Sequence, residues 1–258
     1  LVRSAKWDGV RRLVFLARDG WLVKQAVDLI VKPEDGIATD YQPASRRCLL
    51  PALTVNPSDF YALPINTPAY SVCKLLELLD FCTPDKPAEE LQQMVEAAGF
   101  AWDTPFPGRY RYLEFIRWYL ENLYDGIRHQ KAYNILREYF EPILTEDAAC
   151  FDMGYTGRLQ AALNQLACRS IPVYFVHRDE KDCQRLEAAY EFEARCFYGM
   201  KPGMSGAFRE FLLSSDEAPC IGFARTEKGI QPVYGRSEYN VAARFFIRTM
   251  QRSALRFV

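Results

Sequence analysis

The sequence predicts an α/β protein with a Rossmann-like, mostly parallel sheet, and three observations lead to this class. Short apolar runs alternate with helical patterns, as in strand, helix, strand units. A series of helical patterns interrupts this alternation between residues 65 and 141. Hydrophobic residues make up 49% of the 258 residues, which is enough for a substantial core. We therefore expect one α/β domain over residues 1–258, with residues 65–141 as a helical insertion or cap.

The first predicted strand lies in "RRLVFLAR" at residues 11–18. It ends at "DG", and "WLVKQAVDLIVK" follows with apolar residues at helical spacing, so strand, loop and helix succeed one another. The stretch "DYQPASRRCLL" at residues 40–50 predicts a second short strand ending near Ser45. Because proline has no N–H group to donate, Pro43 places this strand at a sheet edge or makes it irregular.

The segment 65–141 contains four helical patterns with Pro and Gly at their joints. They are "AYSVCKLLELLDF", "PAEELQQMVEAAGF", "RYRYLEFIRWYLENLYDG" and "KAYNILREYFEPIL". In the third, the spacing predicts a stripe facing the core, made of Tyr110, Leu113, Ile116, Leu120 and Leu123. We interpret its aromatic residues as core rather than as a platform for a sugar.

After the helical segment, "DAACFDMG" predicts a strand, "GRLQAALNQLA" a helix and "IPVYFVH" another strand, which together form a βαβ unit. "PCIGFARTEKGIQPVYG" predicts a hairpin with "EKG" as its turn, and "EYNVAARFFIRTMQRSALRF" predicts a C-terminal amphipathic helix. Its arginines at 244, 248, 252 and 256 repeat every four residues. Such a stripe is usually a solvated face, and the alternative is a contact to an acidic partner domain or to anionic lipid headgroups.

Composition excludes several classes of protein. Thirty-two Lys and Arg against 33 Asp and Glu give no reason to expect nucleic acid as a partner. Eight cysteines without a C-x-x-C pair, and only two histidines, argue against a structural zinc site and favour a reducing cytoplasm. No apolar run reaches the roughly 18 residues of a transmembrane segment. The expected location is cytoplasmic, with peripheral membrane association as the alternative.

The ends of the chain suggest a fragment of a longer protein. The sequence begins without Met and stops inside a helical pattern, at "QRSALRFV". We therefore expect further parts on one or both sides.

Three polar clusters fall at predicted strand ends, in "ARDG" at 17–20, "SRR" at 45–47 and "DMGYTG" at 152–157. If the three strands are parallel neighbours, the clusters share one crevice, where open α/β sheets bind ligands. The candidate ligand-binding residues are Arg18, Gly20, Ser45, Arg46, Arg47, Gly154, Thr156, Gly157 and Gln160. Two acids, Asp19 and Asp152, can hold a sugar hydroxyl or, together, a hydrated Mg²⁺.

The chemistry expected of this crevice is the binding of an anion. Gly154 and Gly157 allow a sharp turn, Thr156 can cap the next helix, and free N–H groups there favour a phosphate or carboxylate. The arginines add bidentate contacts, and Gln160 is expected to face the same cleft. A purely structural interpretation stays open for each: Asp19 in a turn, the glycines in a tight strand-to-helix connection, and Ser45 as a helix cap.

Five stretches in this order carry a resemblance to a known family: "RLVFLARDGWLVKQAVD", "ASRRCL", "CFDMGYTGRLQAAL", "IPVYFV" and "FREFLLSSDEAPCIGFA". They resemble the region downstream of the phosphatase-like domain in bacterial predicted hydrolases of the haloacid dehalogenase (HAD) superfamily, over roughly residues 10–225. The resemblance implies a HAD-like α/β fold and a role in surface-polysaccharide synthesis. It also implies a glycosyltransferase domain in the same or a neighbouring chain.

The catalytic residues that this resemblance suggests are Asp19 and Asp152, but the family pattern is incomplete. HAD chemistry needs a nucleophilic aspartate two residues before a second acid, and Ala17 stands at that position. "DMGYTG" also resembles the ribose-phosphate loop of phosphoribosyltransferases, except that Met153 replaces a second acid.

These considerations predict a degenerate HAD-like domain that binds a phosphorylated or nucleotide-linked sugar, with or without Mg²⁺. Whether the chain is an enzyme stays open, because the usual nucleophile is lacking. The first alternative is a non-catalytic docking module of a multidomain glycosyltransferase. The lesser alternative is a phosphoribosyltransferase-like enzyme.

Overall fold

A computed structural model describes residues 1–63, 67–190, 192, 194–199, 211–237 and 239–258. It confirms the α/β class with a parallel sheet flanked by helices, consistent with a Rossmann-like fold. The chain divides into two compact units. The first comprises Leu1–Leu49 with Arg137–Val258, and the second comprises Leu50–Leu136.

The first unit contains a five-stranded sheet in the order β2-β1-β3-β4-β5, and every neighbouring pair is parallel. Its strands are β1 (Arg12–Leu16), β2 (Ala38–Gln42), β3 (Ala148–Tyr155), β4 (Val173–Arg178) and β5 (Ala194–Gly199). β2 lies at the edge of the sheet, as Pro43 predicts, but the predicted end near Ser45 was wrong. The strand ends at Gln42, because Pro43 has no N–H group to continue the pairing. The register between β1 and β3 pairs Leu13 with Ala149 and Phe15 with Phe151.

Both faces of the central strands are buried. Leu13, Val14, Phe15 and Leu16 are completely inaccessible to solvent. Side chains alternate between the faces of a strand, so helices or loops must cover the sheet on both sides. This explains why β1 appears in the sequence as an unbroken apolar run.

The helices form where apolar residues recur at helical spacing. They are α1 (Val2–Trp7), α2 (Gly20–Ile30), α3 (Leu50–Leu53), α4 (Val72–Leu78), α5 (Ala88–Ala97), α6 (Arg109–Asn122), α7 (Gly126–Phe140), α8 (Arg158–Ala167), α9 (Glu180–Tyr190) and α10 (Val241–Ala254). Short 3₁₀ turns lie between several of them. In the part of the chain that the structure describes, no helix combines the length and the apolarity needed to cross a bilayer.

The second unit has an apolar core of its own, to which α4, α5 and α6 contribute. On α6 the buried face is formed by Tyr112, Phe115, Ile116 and Tyr119. Tyr110 is 77% exposed, so the predicted core stripe was wrong at that residue. The tyrosines at 112 and 119 can be buried because their hydroxyl groups find hydrogen-bond partners inside the unit. Residues 65 and 66 of the predicted helical segment lie outside the described residues.

The predicted hairpin is confirmed. β6 (Cys220–Thr226) and β7 (Gly229–Tyr234) pair antiparallel and form a separate two-stranded sheet. Its turn falls at residues 227–228, within the predicted "EKG". The last of the five resembling stretches begins at residue 208, and its residues 208–210 lie outside the described part of the chain.

Candidate functional site

The strand order reverses between β1 and β3. From β1 the chain proceeds to β2 on one side, and β3 then pairs with the opposite side of β1. In open α/β sheets, ligands bind beyond the carboxyl ends of the strands at such a switch point. The three predicted clusters follow β1 and β2 and end β3, so the structure places them along one edge of the sheet.

Asp152 lies directly at the switch point. It follows Phe151, the last residue of β3 that pairs with β1. Beyond it β3 continues alongside β4 alone, because Asp152 pairs with Phe175. The Asp152 side chain is half-buried. Complete burial raises the pKa of Cys150, on the same face of β3, to about 12, and the charge of Asp152 adds to this rise.

Asp19, on the other side of the switch point, begins α2 and is held by a residue far away in the sequence. Oγ of Ser214 donates a hydrogen bond to Oδ1 of Asp19 at 2.5 Å. The backbone N–H group of Ser215 donates to the carbonyl oxygen of Arg18 at 3.0 Å. Residues 214 and 215 therefore cover the start of α2 and fix the orientation of the Asp19 carboxylate.

The segment that covers Asp19 is itself anchored to two other elements. Nε2 of Gln251, on α10, donates to the carbonyl oxygens of Leu212 and Ser214 at 3.0 and 2.8 Å. The Tyr41 hydroxyl, on β2, is hydrogen-bonded to Oε1 of Glu217 at 2.6 Å and to Oγ of Ser215 at 3.0 Å. Burial, and next the bond to Glu217, raise the pKa of Tyr41.

These contacts involve residues that sequence reasoning did not select. The stretch "SSDE" at 214–217 belongs to one of the resembling stretches, which is the only signal that could have drawn attention to it. Its contacts with Asp19 and Tyr41 join residues more than 170 positions apart, so local sequence patterns cannot predict these contacts.

The predicted arginines differ in their surroundings. The Arg18 guanidinium lies over the ring of Tyr239, 5.3 Å from its centre, and the residue is half-buried. In the cluster after β2, Arg46 is exposed and Arg47 is half-buried. Of the three arginines, Arg18 is the one that follows a strand bordering the switch point.

Ser45 is engaged in the packing of its own loop. Its Oγ donates to the carbonyl oxygen of Cys220 at 2.6 Å and accepts from the backbone N–H group of Cys48 at 3.1 Å. These bonds attach the loop after β2 to the start of β6. They agree with the structural interpretation of Ser45 as a capping residue. The segment that its hydroxyl caps is the turn at residues 46–49 rather than a long helix.

The two glycines at the end of β3 are explained by packing. Gly154 has φ +100°, and a Cβ atom there would lie 2.1 Å from the carbonyl oxygen of His177. Gly157 has φ +79°, and a Cβ atom there would lie 2.9 Å from Cζ of Phe192. Gly157 is buried. Neither glycine needs a bound anion to account for it.

The predicted cap by Thr156 does not form. Gly157 is the N-cap residue of α8, and no side chain accepts a hydrogen bond there. The reason is that the left-handed glycine, rather than the threonine, occupies the capping position. Thr156 is half-buried at the carboxyl edge of the sheet.

Gln160 does not face the cleft. It is 1% exposed, and its Nε2 donates to Oδ1 of Asn164 and to the carbonyl oxygen of Ile171, both at 2.8 Å. Ile171 precedes β4, so the side chain is directed toward the entry of that strand. Buried amides satisfy their donors inside the protein, and here α8 offers one acceptor and the connection before β4 the other.

Gly20 is buried at the start of α2, where a Cβ atom would lie 3.1 Å from that of Phe15.

Within the described ranges no group of three or more His, Cys, Asp or Glu side chains is arranged to hold a metal ion. The predicted Mg²⁺ site has only two carboxylates, Asp19 and Asp152, with water as the remaining ligands. That site stays a prediction.

Comparison with known proteins gives no independent assignment of this site. No protein-family model matches the chain, and no curated protein is significantly similar to it.

Proposed function

We propose that the carboxyl edge between β1 and β3 binds the anionic part of a phosphorylated or nucleotide-linked sugar. The observation that supports this most is the reversal of strand order at the position where Arg18, Asp19 and Asp152 occur. Open sheets of this kind offer their ligand-binding position at such a reversal. A cation and two carboxylates there match a ligand with both phosphate and hydroxyl groups.

Each of these side chains has a distinct role in the proposal. The Arg18 guanidinium donates paired hydrogen bonds to phosphate oxygens. Asp19 and Asp152 accept hydrogen bonds from sugar hydroxyls or hold a hydrated Mg²⁺, whose charge would neutralise the phosphate. The hydrogen bond from Oγ of Ser214 to Oδ1 of Asp19 holds this carboxylate in a fixed orientation for the ligand.

The proposed activity is binding rather than phosphoryl transfer through a covalent intermediate. Ala17 stands two residues before Asp19, where HAD-like chemistry would need a carboxylate that attacks phosphorus. The methyl side chain of Ala17 supplies no nucleophile. The proposal of a degenerate HAD-like domain in bacterial surface-polysaccharide synthesis depends on the sequence resemblance.

Thermal unfolding with added ligands tests the proposal. Sugar phosphates and sugar nucleotides, each with and without Mg²⁺, would be added to the wild type and to Asp152→Asn. A ligand at about 100 times its dissociation constant should stabilise the wild type by roughly 2.7 kcal/mol. The Asp152→Asn variant should lose most of this gain.

Asp28→Asn is the matched control, because Asp28 lies in the last turn of α2, at the opposite end of that helix from Asp19. It should retain the full ligand-induced shift. If no ligand stabilises the wild type, the proposal fails, and a non-catalytic docking module becomes the better description.

A further inference from the structure

The C-terminal helix and the turn after it carry a one-sided charge. Residues 241–258 contain four arginines and no acidic residue. Two of the four are engaged within the protein. Nε of Arg244 donates to the carbonyl oxygen of Tyr239 at 3.2 Å, and Arg248 forms an ion pair with Asp216 at 2.5 Å. Arg252 and Arg256 are exposed.

The same stretch exposes large apolar side chains. Val241 is 84%, Phe245 72% and Phe257 91% accessible to solvent. Phe246 and Met250 are also exposed, at 47% and 44%. On α10 only Ile247 and Gln251 are buried. Contiguous exposed apolar groups on this scale mark interaction surfaces in folded proteins.

The positive and apolar side chains share one side of the helix. Val241, Phe245 and Arg252 are separated by four and seven residues, which are spacings that bring helical residues to the same face. Arg256 and Phe257 extend this set into the 3₁₀ turn Leu255–Phe257. We define the C-terminal surface by these five residues.

We infer that the C-terminal surface binds the anionic headgroup layer of a phospholipid bilayer. Such a layer offers negative charge directly above acyl carbon, so it can pair with Arg252 and Arg256 while it removes Phe245 and Phe257 from water. An acidic protein surface would supply the charge but would leave these rings in a polar environment. The helix would lie on the bilayer, and the inference is independent of the sugar-binding proposal.

Vesicle sedimentation with the whole chain tests this inference. Vesicles of phosphatidylcholine alone would be compared with vesicles of equal parts phosphatidylcholine and phosphatidylglycerol. We expect binding to the anionic vesicles only, and weaker binding as salt is added. Arg252→Gln with Arg256→Gln should reduce affinity roughly 25-fold, at about fivefold for each arginine. Phe245→Ser with Phe257→Ser should reduce it about tenfold or more.

The matched controls are Arg3→Gln and Ile127→Ser, which change an exposed arginine and an exposed apolar residue on other helices. Both controls should bind like the wild type. The inference is overturned if the wild type ignores anionic vesicles or if the phenylalanine variants bind unchanged. It is equally overturned if light scattering shows a dimer that these variants dissociate, since a second copy would then cover the surface. Circular dichroism checks that every variant is folded, and the altered side chains are exposed, so folding should be retained.

Discussion

Gly154 allows β3 to continue beside β4 after its pairing with β1 has ended. Its φ of +100° is a conformation that residues with a side chain rarely adopt. The backbone of His177 and the ring of Phe175 occupy the space where a Cβ atom would be, at 2.1 and 2.9 Å. The glycine therefore lets β3 approach β4 closely just beyond the switch point.

Gly154→Ala should destabilise the protein by about 4 kcal/mol, through backbone strain added to overpacking. Gly9→Ala is the control, because Gly9 also has positive φ, at +72°, but nothing lies within 4 Å of the added atom. That variant should lose only about 1 kcal/mol. Urea unfolding measures both values, and equal losses would contradict this account of Gly154.

His129 lies in the core of the second unit, with its Nε2 atom 3.1 Å from Oγ1 of Thr54. Burial lowers the pKa of His129 below its ordinary value. The unfolded chain therefore takes up a proton more readily than the folded one. The contribution of neutral His129 to stability is complete above about pH 6.5 and is lost as the pH falls through the lower folded pKa.

Urea unfolding at about pH 7.5 and about pH 5.5 should show this loss of stability in the wild type. His129→Gln should remove the part of the pH dependence that the histidine causes. His177→Gln, which changes the other histidine, should retain it. An unchanged pH dependence in His129→Gln would show that other groups are responsible.

At the scale of secondary structure, strands buried on both faces were predictable, and those at the edges were less so. β1, β3 and β4 appear as apolar runs because helices or loops cover both faces of the sheet at these strands. β5 was missed, since an edge strand exposes Arg195, Phe197 and Tyr198 and has no such run. Helices at 88–97, 109–122 and 158–167 were predictable too, because their apolar residues recur at helical spacing.

The candidate site was predictable only in part. Strand ends followed by "DG" or by glycines are local signals, so Asp19 and Asp152 could be selected from the sequence. The direction of the Gln160 side chain could not be predicted from the sequence, because it depends on a hydrogen bond to the connection before β4. The cover formed by residues 214–217 depends on contacts with β2, α2 and α10 that only the folded chain brings together.

Ser214→Ala should remove the side-chain hydrogen bond between this cover and Asp19. Removal of a hydrogen bond to a carboxylate costs about 1.5 kcal/mol of stability. Ser253→Ala provides the control, because its hydroxyl donates to the carbonyl oxygen of Thr249, one turn earlier on the same exposed helix face. That change should stay within about 0.5 kcal/mol of the wild type. Chemical unfolding of both variants checks this, and equal effects would show that the bond to Asp19 contributes nothing.

At the scale of the whole molecule, the chain contains two units with separate cores. The second unit buries residues such as Phe60, Leu75, Phe115 and Tyr119 among its own helices. The first unit buries Leu13, Phe15 and Phe151 in the sheet. A unit with its own core is expected to fold by itself.

Residues 50–136 expressed alone should give a helical circular dichroism spectrum and unfold cooperatively on heating. The buried tyrosines and phenylalanines provide the apolar area that such a small unit needs. A gradual loss of signal with temperature would show instead that the rest of the chain is required for its folding.

The position of the ligand is the central claim for the whole molecule, and a crystal structure grown with a sugar phosphate that stabilises the protein tests it most directly. The phosphate should lie at the carboxyl edge between β1 and β3, in contact with Arg18, with Asp19 and Asp152 toward the sugar or a metal ion. A sugar phosphate bound at the opposite edge of the sheet, or on the arginines of α10, would contradict the claim.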